Sequence, residues 1–187
     1  MLEEILGAKI AGAGITDGWS AYNAFQVLQR CWAHLLREVD DYKDIPRGEE
    51  LSKVIHCKFK KMREFLDKEP PMEDRKQMKK QWDTEMAQLV ERFTKYEGLH
   101  KPMTYIKNGL GCWYTCLLYP GMEPTNNLGE QAMREHVIMR KIIGTFRSEK
   151  GAEHYQYIAS LLATWQLLEK DVYKEMENLL RKELCVG

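Results

Sequence analysis

The run of apolar and polar positions gives short extended pieces near the start of the chain and long helical pieces after them. Residues 8–15 are apolar with mostly small side chains and stop at Asp17-Gly18, which reads as a short strand. Residues 25–32, FQVLQRCW, read as a second strand. A helix is expected over His34–Asp41, with Leu35, Leu36 and Val39 on one side. Pro46-Arg47-Gly48 marks a turn.

Two clearer helices follow. Leu51, Ile55, Phe59, Met62 and Leu66 recur at steps of four or three, the spacing of one helical face. Glu69-Pro70-Pro71 ends that helix, because proline has no amide donor and its ring clashes with the preceding turn. Met78, Trp82, Met86, Leu89, Phe93 and Tyr96 repeat the pattern, and Gly98 is placed to stop it. The opposite faces are dense in Lys, Arg, Glu and Asp. The two helices should pack as an antiparallel pair, and this charged stretch, about 49–97, reads as an insertion.

Residues 102–118 send conflicting signals: Gly109 and Gly111 weaken a helix, whereas Trp113, Leu117 and Leu118 call for burial. Pro120-Gly121 makes a turn. Pro124-Thr125-Asn126-Asn127 is a helix-start signal, since Thr and Asn oxygens accept from free first-turn amides. That helix should run to about Lys141. One or two further helices fit 151–184, with Ile158, Leu161, Leu162, Trp165 and Leu168, then Val172, Met176, Leu179, Leu180 and Leu184 as apolar positions. The sum is an α/β chain, mainly helical, without internal repeats.

Composition narrows the picture only a little. The chain has 187 residues, enough for one domain with a core plus an inserted subdomain. Lys+Arg and Asp+Glu number 28 each, so the net charge is zero, which argues against a uniformly basic nucleic-acid module. A local basic face is still compatible with that total. The five cysteines, Cys31, Cys57, Cys112, Cys116 and Cys185, are odd in number and read as reduced thiols. The opening MLEEILGAKI has acidic residues where a signal peptide needs basic ones. The most apolar run, IASLLATWQLL at 158–168, is well short of the ~20 residues of a membrane span. A cytoplasmic location without a membrane partner is expected.

Three places could carry chemistry. Glu130 lies early in an Asn-started helix, and Arg134, Val137 and Lys141 follow on its face. Arg140 and Arg147 extend the basic run. Such a stripe suits a metal beside a phosphate backbone, or simply a solvated face with a Glu–Arg pair. Asp17 ends a strand, a frequent catalytic position, but Asp17-Gly18 is also an ordinary turn pair. Cys31 and His34 have the spacing of a metal half-site, and Cys112, Cys116 or His56-Cys57 are the sequence candidates for its remaining ligands. A buried cysteine and a hydrogen-bonded histidine explain the same pair more simply.

In order, the chain carries Asp17-Gly18-Trp19-Ser20-Ala21-Tyr22, Cys31-Trp32-Ala33-His34-Leu35-Leu36-Arg37-Glu38, and Pro124-Thr125-Asn126-Asn127-Leu128-Gly129-Glu130-Gln131-Ala132-Met133-Arg134. Arg140-Lys141 and Gly144-Thr145-Phe146-Arg147-Ser148 come after. This series resembles the insertion sequence 66 family of transposases, over roughly 10–170 and least in 49–97. The most specific element of the resemblance is Asn126-Asn127 with Glu130 and Arg134, followed by Arg140-Lys141.

The resemblance implies a ribonuclease-H-like core in which Asp, Asp and Glu hold two divalent ions for DNA cleavage and strand transfer. By motif, Asp17 matches the second acid and Glu130 the third. Magnesium, or manganese in its place, is the implied cofactor, with zinc a lesser alternative. Arg134, Arg140, Lys141 and Arg147 would meet phosphates of transposon-end DNA. Cys31, His34, Asn126 and Asn127 would support the site. The implied organisation is a partial core over 1–48 with Asp17, a helical insertion over 49–100, a return over 101–150 with Glu130, and C-terminal helices over 151–187.

Residues 1–16 hold no Asp, and Glu3 and Glu4 lie too close to Asp17 to stand in for a first acid on an upstream strand. The expectation is a C-terminal part of the catalytic domain, inactive alone, with exposed strand edges and self-association. It would be completed by an N-terminal transposase segment. The alternatives are a non-catalytic remnant that binds DNA or transposase, and a helical interaction protein.

Overall fold

A computed structural model describes residues 10–18, 22 and 25–184. Trp19–Ala21, Glu3, Glu4 and Cys185 lie outside the described residues. The order of elements is β1 (Ile10–Thr16), β2 (Phe25–Arg30), α1 (Trp32–Asp40), α2 (Gly48–Leu66), α3 (Met72–Thr94), α4 (His100–Asn108), α5 (Asn127–Ile143), α6 (Glu149–Leu167) and α7 (Val172–Leu184). Short 3-10 turns cover Glu97–Leu99 and Thr115–Leu118. The chain divides into two compact units, Met1–Ala132 and Met133–Gly187. It is mainly helical with a small sheet, as the apolar pattern indicated.

In the first unit β1 and β2 pair in parallel, with Ile15 opposite Gln29 and Thr16 opposite Arg30. Among the described residues they form a two-stranded sheet and pair with no other strand. The second strand stops at Arg30, earlier than the sequence pattern suggested, because Trp32 already begins α1. Residues 112–116 cover one edge of β2. The Arg30 amide donates to the Cys112 carbonyl (2.9 Å) and the Thr115 hydroxyl to the Leu28 carbonyl (2.8 Å). The buried Gln29 amide donates to the Trp113 carbonyl (2.9 Å) and accepts from the Cys116 amide (2.7 Å). A buried polar side chain is tolerable when so paired.

The core of this unit is built on Trp32. Its ring lies 5.3 Å from Tyr114, 5.6 Å from Phe59 and 5.8 Å from Trp113, and its indole N–H donates to the Trp113 carbonyl at 2.6 Å. Leu35, Val39, Leu51, Ile55, Met62, Met86, Phe93, Leu99 and Ile106 are fully buried in the same cluster. Helices α2 and α3 touch in antiparallel order: Glu50 pairs with Arg92, Lys58 with Glu85 at 2.7 Å, and Phe65 meets Trp82 edge-to-face at 5.5 Å. The ambiguous stretch at 102–118 resolves into α4 and the 3-10 turn, because its aromatic residues pack inward where a regular helix would expose half of them.

In the second unit Ser148 caps α6, its hydroxyl accepting from the Gly151 amide at 3.1 Å. Tyr155 joins this helix to its neighbours: its hydroxyl lies 3.2 Å from His136 Nδ1 and its ring 5.2 Å from Phe146. Trp165 is buried, while Ile142, Leu161, Leu167 and Leu180 are exposed. Among the described residues no helix is long and apolar enough to cross a membrane.

Candidate active site

Cys31 is the junction from which the site is assembled. It precedes α1 in an extended conformation, and its side chain makes no capping bond to that helix. Its amide donates to the Thr16 carbonyl at 2.8 Å, which brings the end of β1, and so Asp17, beside the start of α1. Its Sγ accepts from the Asn126 amide at 3.2 Å, and the next amide, Trp32, donates to the Pro124 carbonyl at 3.0 Å. These bonds fix the segment that leads into α5. The Glu130 amide then donates to the Asn126 carbonyl at 3.0 Å, placing Glu130 in the first turn of α5. There the free amides favour a carboxylate.

One open cleft of about 340 Å³ results, lined by Thr16, Asp17, Tyr22, His34, Asn126 and Glu130 together with Gly14, Ile15 and Phe25. Asp17 and Glu130, the two carboxylates singled out in the sequence, therefore share a cleft. His34 lies one helical turn beyond Cys31. Its Nδ1 is 3.5 Å from Glu130 Oε1 and has no hydrogen bond. Ligand atoms of Cys31, His34 and Glu130 all lie within 4.8 Å of one another, the one such group of His, Cys and acidic residues found among the described residues. Cys57, Cys112, Cys116 and His56 do not join it.

Three residues at the site were not singled out in the sequence. Arg37 brings its guanidinium 3.5 Å from the same Glu130 oxygen. Tyr105 donates its hydroxyl to the Asp17 carbonyl at 2.6 Å. Burial pushes the Tyr105 phenol above its ordinary value, so it remains a donor, although the nearby Arg30 works in the other direction. Arg30 is buried, with its guanidinium over the rings of Tyr105 (4.9 Å) and Trp113 (5.5 Å). Tyr105 is distant in sequence and Arg30 sits in an apolar strand, so neither spacing nor composition reveals them. Only Arg37 was within reach, three residues past His34 on the outer side of α1.

The basic residues lie elsewhere. Arg134, Arg140 and Lys141 are exposed further along α5, and Arg147 is exposed in the segment before α6. Asn127 is exposed at the first position of α5, and Asn126 is half-buried just before it. Asn126 Oδ1 occupies the space that a Cβ at Gly129 would need, so glycine there lets the asparagine fold over the helix start.

The donor set answers which ions suit the cleft. Asp17 and Glu130 both line it, and their carboxylates are hard ligands of the kind a magnesium-class cation takes. The thiol and imidazole beside Glu130 do not fit a hard cation.

Residues 1–154 match the family model described as Transposase IS66 family. No curated protein and no solved structure matches the chain. Because that family match spans well over half of the residues, the chain belongs to the IS66 family of transposases.

Proposed function

We propose that the chain carries part of the catalytic core of a DDE transposase, a ribonuclease-H-like unit acting in DNA transposition, with Asp17 and Glu130 as two of its three metal-holding carboxylates. The observation that carries the reading is that these two residues line one cleft despite their separation in sequence. A bound pair of magnesium-class ions supplies activation of a water or a DNA 3′-hydroxyl and stabilises charge on the attacked phosphate. The protein's own part is to hold the acids ready. Tyr105 fixes the backbone at Asp17, and Arg37 holds one Glu130 oxygen. Asn126 and Cys31 fix the start of the helix that bears Glu130.

Transposon-end DNA is the partner in this reading, with Arg134, Arg140, Lys141 and Arg147 meeting phosphates. In this reading Asp17 and Glu130 are two of three carboxylates, and the purified chain alone is expected neither to cut nor to join DNA. Strand transfer catalysed by the purified chain with magnesium or manganese would overturn that. The exposed apolar side chains of α5, α6 and α7, Ile142, Leu161, Leu167 and Leu180 among them, support self-association or docking against another transposase segment.

The test of the metal assignment is manganese binding followed by electron paramagnetic resonance. Asp17→Asn and Glu130→Gln should each weaken binding about tenfold or more, as loss of a ligand does, with no change in melting temperature. Unchanged affinity in both variants rejects the assignment. A second reading, a non-catalytic DNA-binding member of the family, is favoured if DNA binds while manganese does not.

A further inference from the structure

We infer that Cys31, His34 and Glu130 form a site for one zinc-class divalent ion, chemically distinct from a magnesium-class ion held between carboxylates. This goes beyond the proposed catalytic role; it shares Glu130 with that reading and does not require Asp17.

Thiolate and imidazole select borderline-soft cations, and a carboxylate completes such sets readily. Their placement is that of a ligand set. Cys31 caps α1 in an extended conformation and His34 lies in its first turn, and their ligand atoms lie within 4.8 Å of each other. Glu130 arrives from the first turn of α5, held there by the bond from the Asn126 amide to Cys31 Sγ. A single zinc ion binds N and O near 2.0–2.2 Å and S near 2.3 Å, which puts its ligand atoms roughly 3.3–3.8 Å apart. The His34–Glu130 pair, at 3.5 Å, already has that separation. All three ligand atoms lie within 4.8 Å, so closing on an ion takes movement of about 1 Å.

Two further observations point to an ion. His34 Nδ1 is buried and has no hydrogen bond, a costly state for an imidazole nitrogen that coordination would relieve. The amide directed at Cys31 Sγ is the kind of outer partner that stabilises a metal-bound thiolate, and Arg37 plays the same part for the Glu130 carboxylate. His34 and Glu130 also line the cleft that contains Asp17, and three protein ligands leave a fourth position. A water or a phosphate oxygen can occupy it.

The test is titration of the purified full chain with cobalt(II) chloride, read as the near-ultraviolet sulfur-to-cobalt charge-transfer band. One equivalent should bind with that band present. Cys31→Ser should abolish the band, and Glu130→Gln, at an exposed position where folding is not at stake, should weaken cobalt binding about tenfold or more. Cys57→Ser and Asp17→Asn should leave the band intact. A thousandfold excess of magnesium chloride should not displace the cobalt, and zinc chloride should. No band, a band that survives Cys31→Ser with a native melting curve, unchanged affinity in Glu130→Gln, or displacement by magnesium each overturn the proposal. Loss of manganese binding in Asp17→Asn with the cobalt band retained separates the two metal readings.

Discussion

Gly18 stands where the guanidinium of Arg30 leaves no room for a side chain. A Cβ on Gly18 would run into that group, and the residue also has a φ of +100°, a region that L side chains rarely adopt. Both constraints fall one residue after Asp17, so the turn that presents this carboxylate depends on a glycine. Gly18→Ala is expected to cost roughly 1–3 kcal/mol. In an Arg30→Ala background the collision disappears and only the backbone strain remains, so the cost should be smaller. Urea denaturation of the double-mutant cycle checks this. Strictly additive effects would mean that Arg30 is not what demands glycine.

Trp32 has the largest predicted effect on stability. It is fully buried, touches three other rings and spends its indole N–H on the Trp113 carbonyl. Trp32→Ala should lose about 3–5 kcal/mol, the usual range for a large buried aromatic. Trp82 is half-buried against Phe65 and Tyr114, and Trp82→Ala should lose less. Equal midpoints in urea for the two variants would count against Trp32 as the centre of the core.

The helices were legible because their apolar faces repeat at helical spacing: the stripe from Leu51 to Leu66 lies within α2, and the stripe from Met78 to Phe93 within α3. Local stops were legible too, since Pro70-Pro71 separates those two helices. Residues 102–118 were not, because burial of Trp113 and Tyr114 against Trp32 overrides local preference there. In the site, Asp17 and Glu130 stood out through motif order, and the structure brings both to one cleft. The sequence could not say which third residue joins Cys31 and His34. The cysteines that looked eligible stay apart, and Glu130, considered only with Asp17, is the one that arrives. That pairing depends on long-range hydrogen bonds of Cys31, donated to the Thr16 carbonyl and accepted from the Asn126 amide, which leave no trace in spacing.

Acid should weaken the contact between α1 and α2 through Asp40. Partial burial acts to raise its pKa, but bonds from Ser52 (2.6 Å), Lys43 (3.0 Å) and His56 (2.9 Å) outweigh that and hold it below the ordinary carboxylate value. A depressed carboxylate contributes stability that is complete above the unfolded value, about 3.9. That contribution is lost as pH falls through the lower native value. Asp40→Asn should therefore lower the melting temperature at neutral pH, with the gap to wild type closing in strong acid. A gap that is constant down to the lowest pH tested would remove Asp40 from this role.

The thiols should separate by reactivity. Cys116 is buried, with Sγ 3.8 Å from Met62 Sδ, and burial pushes its pKa up to about 12. The thiolate is the reactive form, so this cysteine should resist iodoacetamide at neutral pH in the native chain. Among the described cysteines, Cys57 is exposed on α2 and should react first. Peptide mapping after brief labelling reads both, and early modification of Cys116 would show that its surroundings open more freely than the packing implies.

DNA binding by a chain of zero net charge must come from where its cations are placed. Arg134, Arg140, Lys141 and Arg147 are exposed within a short stretch and are the residues assigned to phosphate in the proposed function. Each phosphate contact releases condensed counterions, so log K should fall with log salt by about 0.9 for each one made to duplex DNA. Arg140→Gln with Lys141→Gln should then weaken binding to any duplex and reduce the slope by roughly 2. Fluorescence anisotropy across a salt series measures this directly. A slope that does not change in the double variant places the phosphate contacts on other residues. Affinity insensitive to salt leaves the chain without a phosphate interface and favours a role in protein contacts.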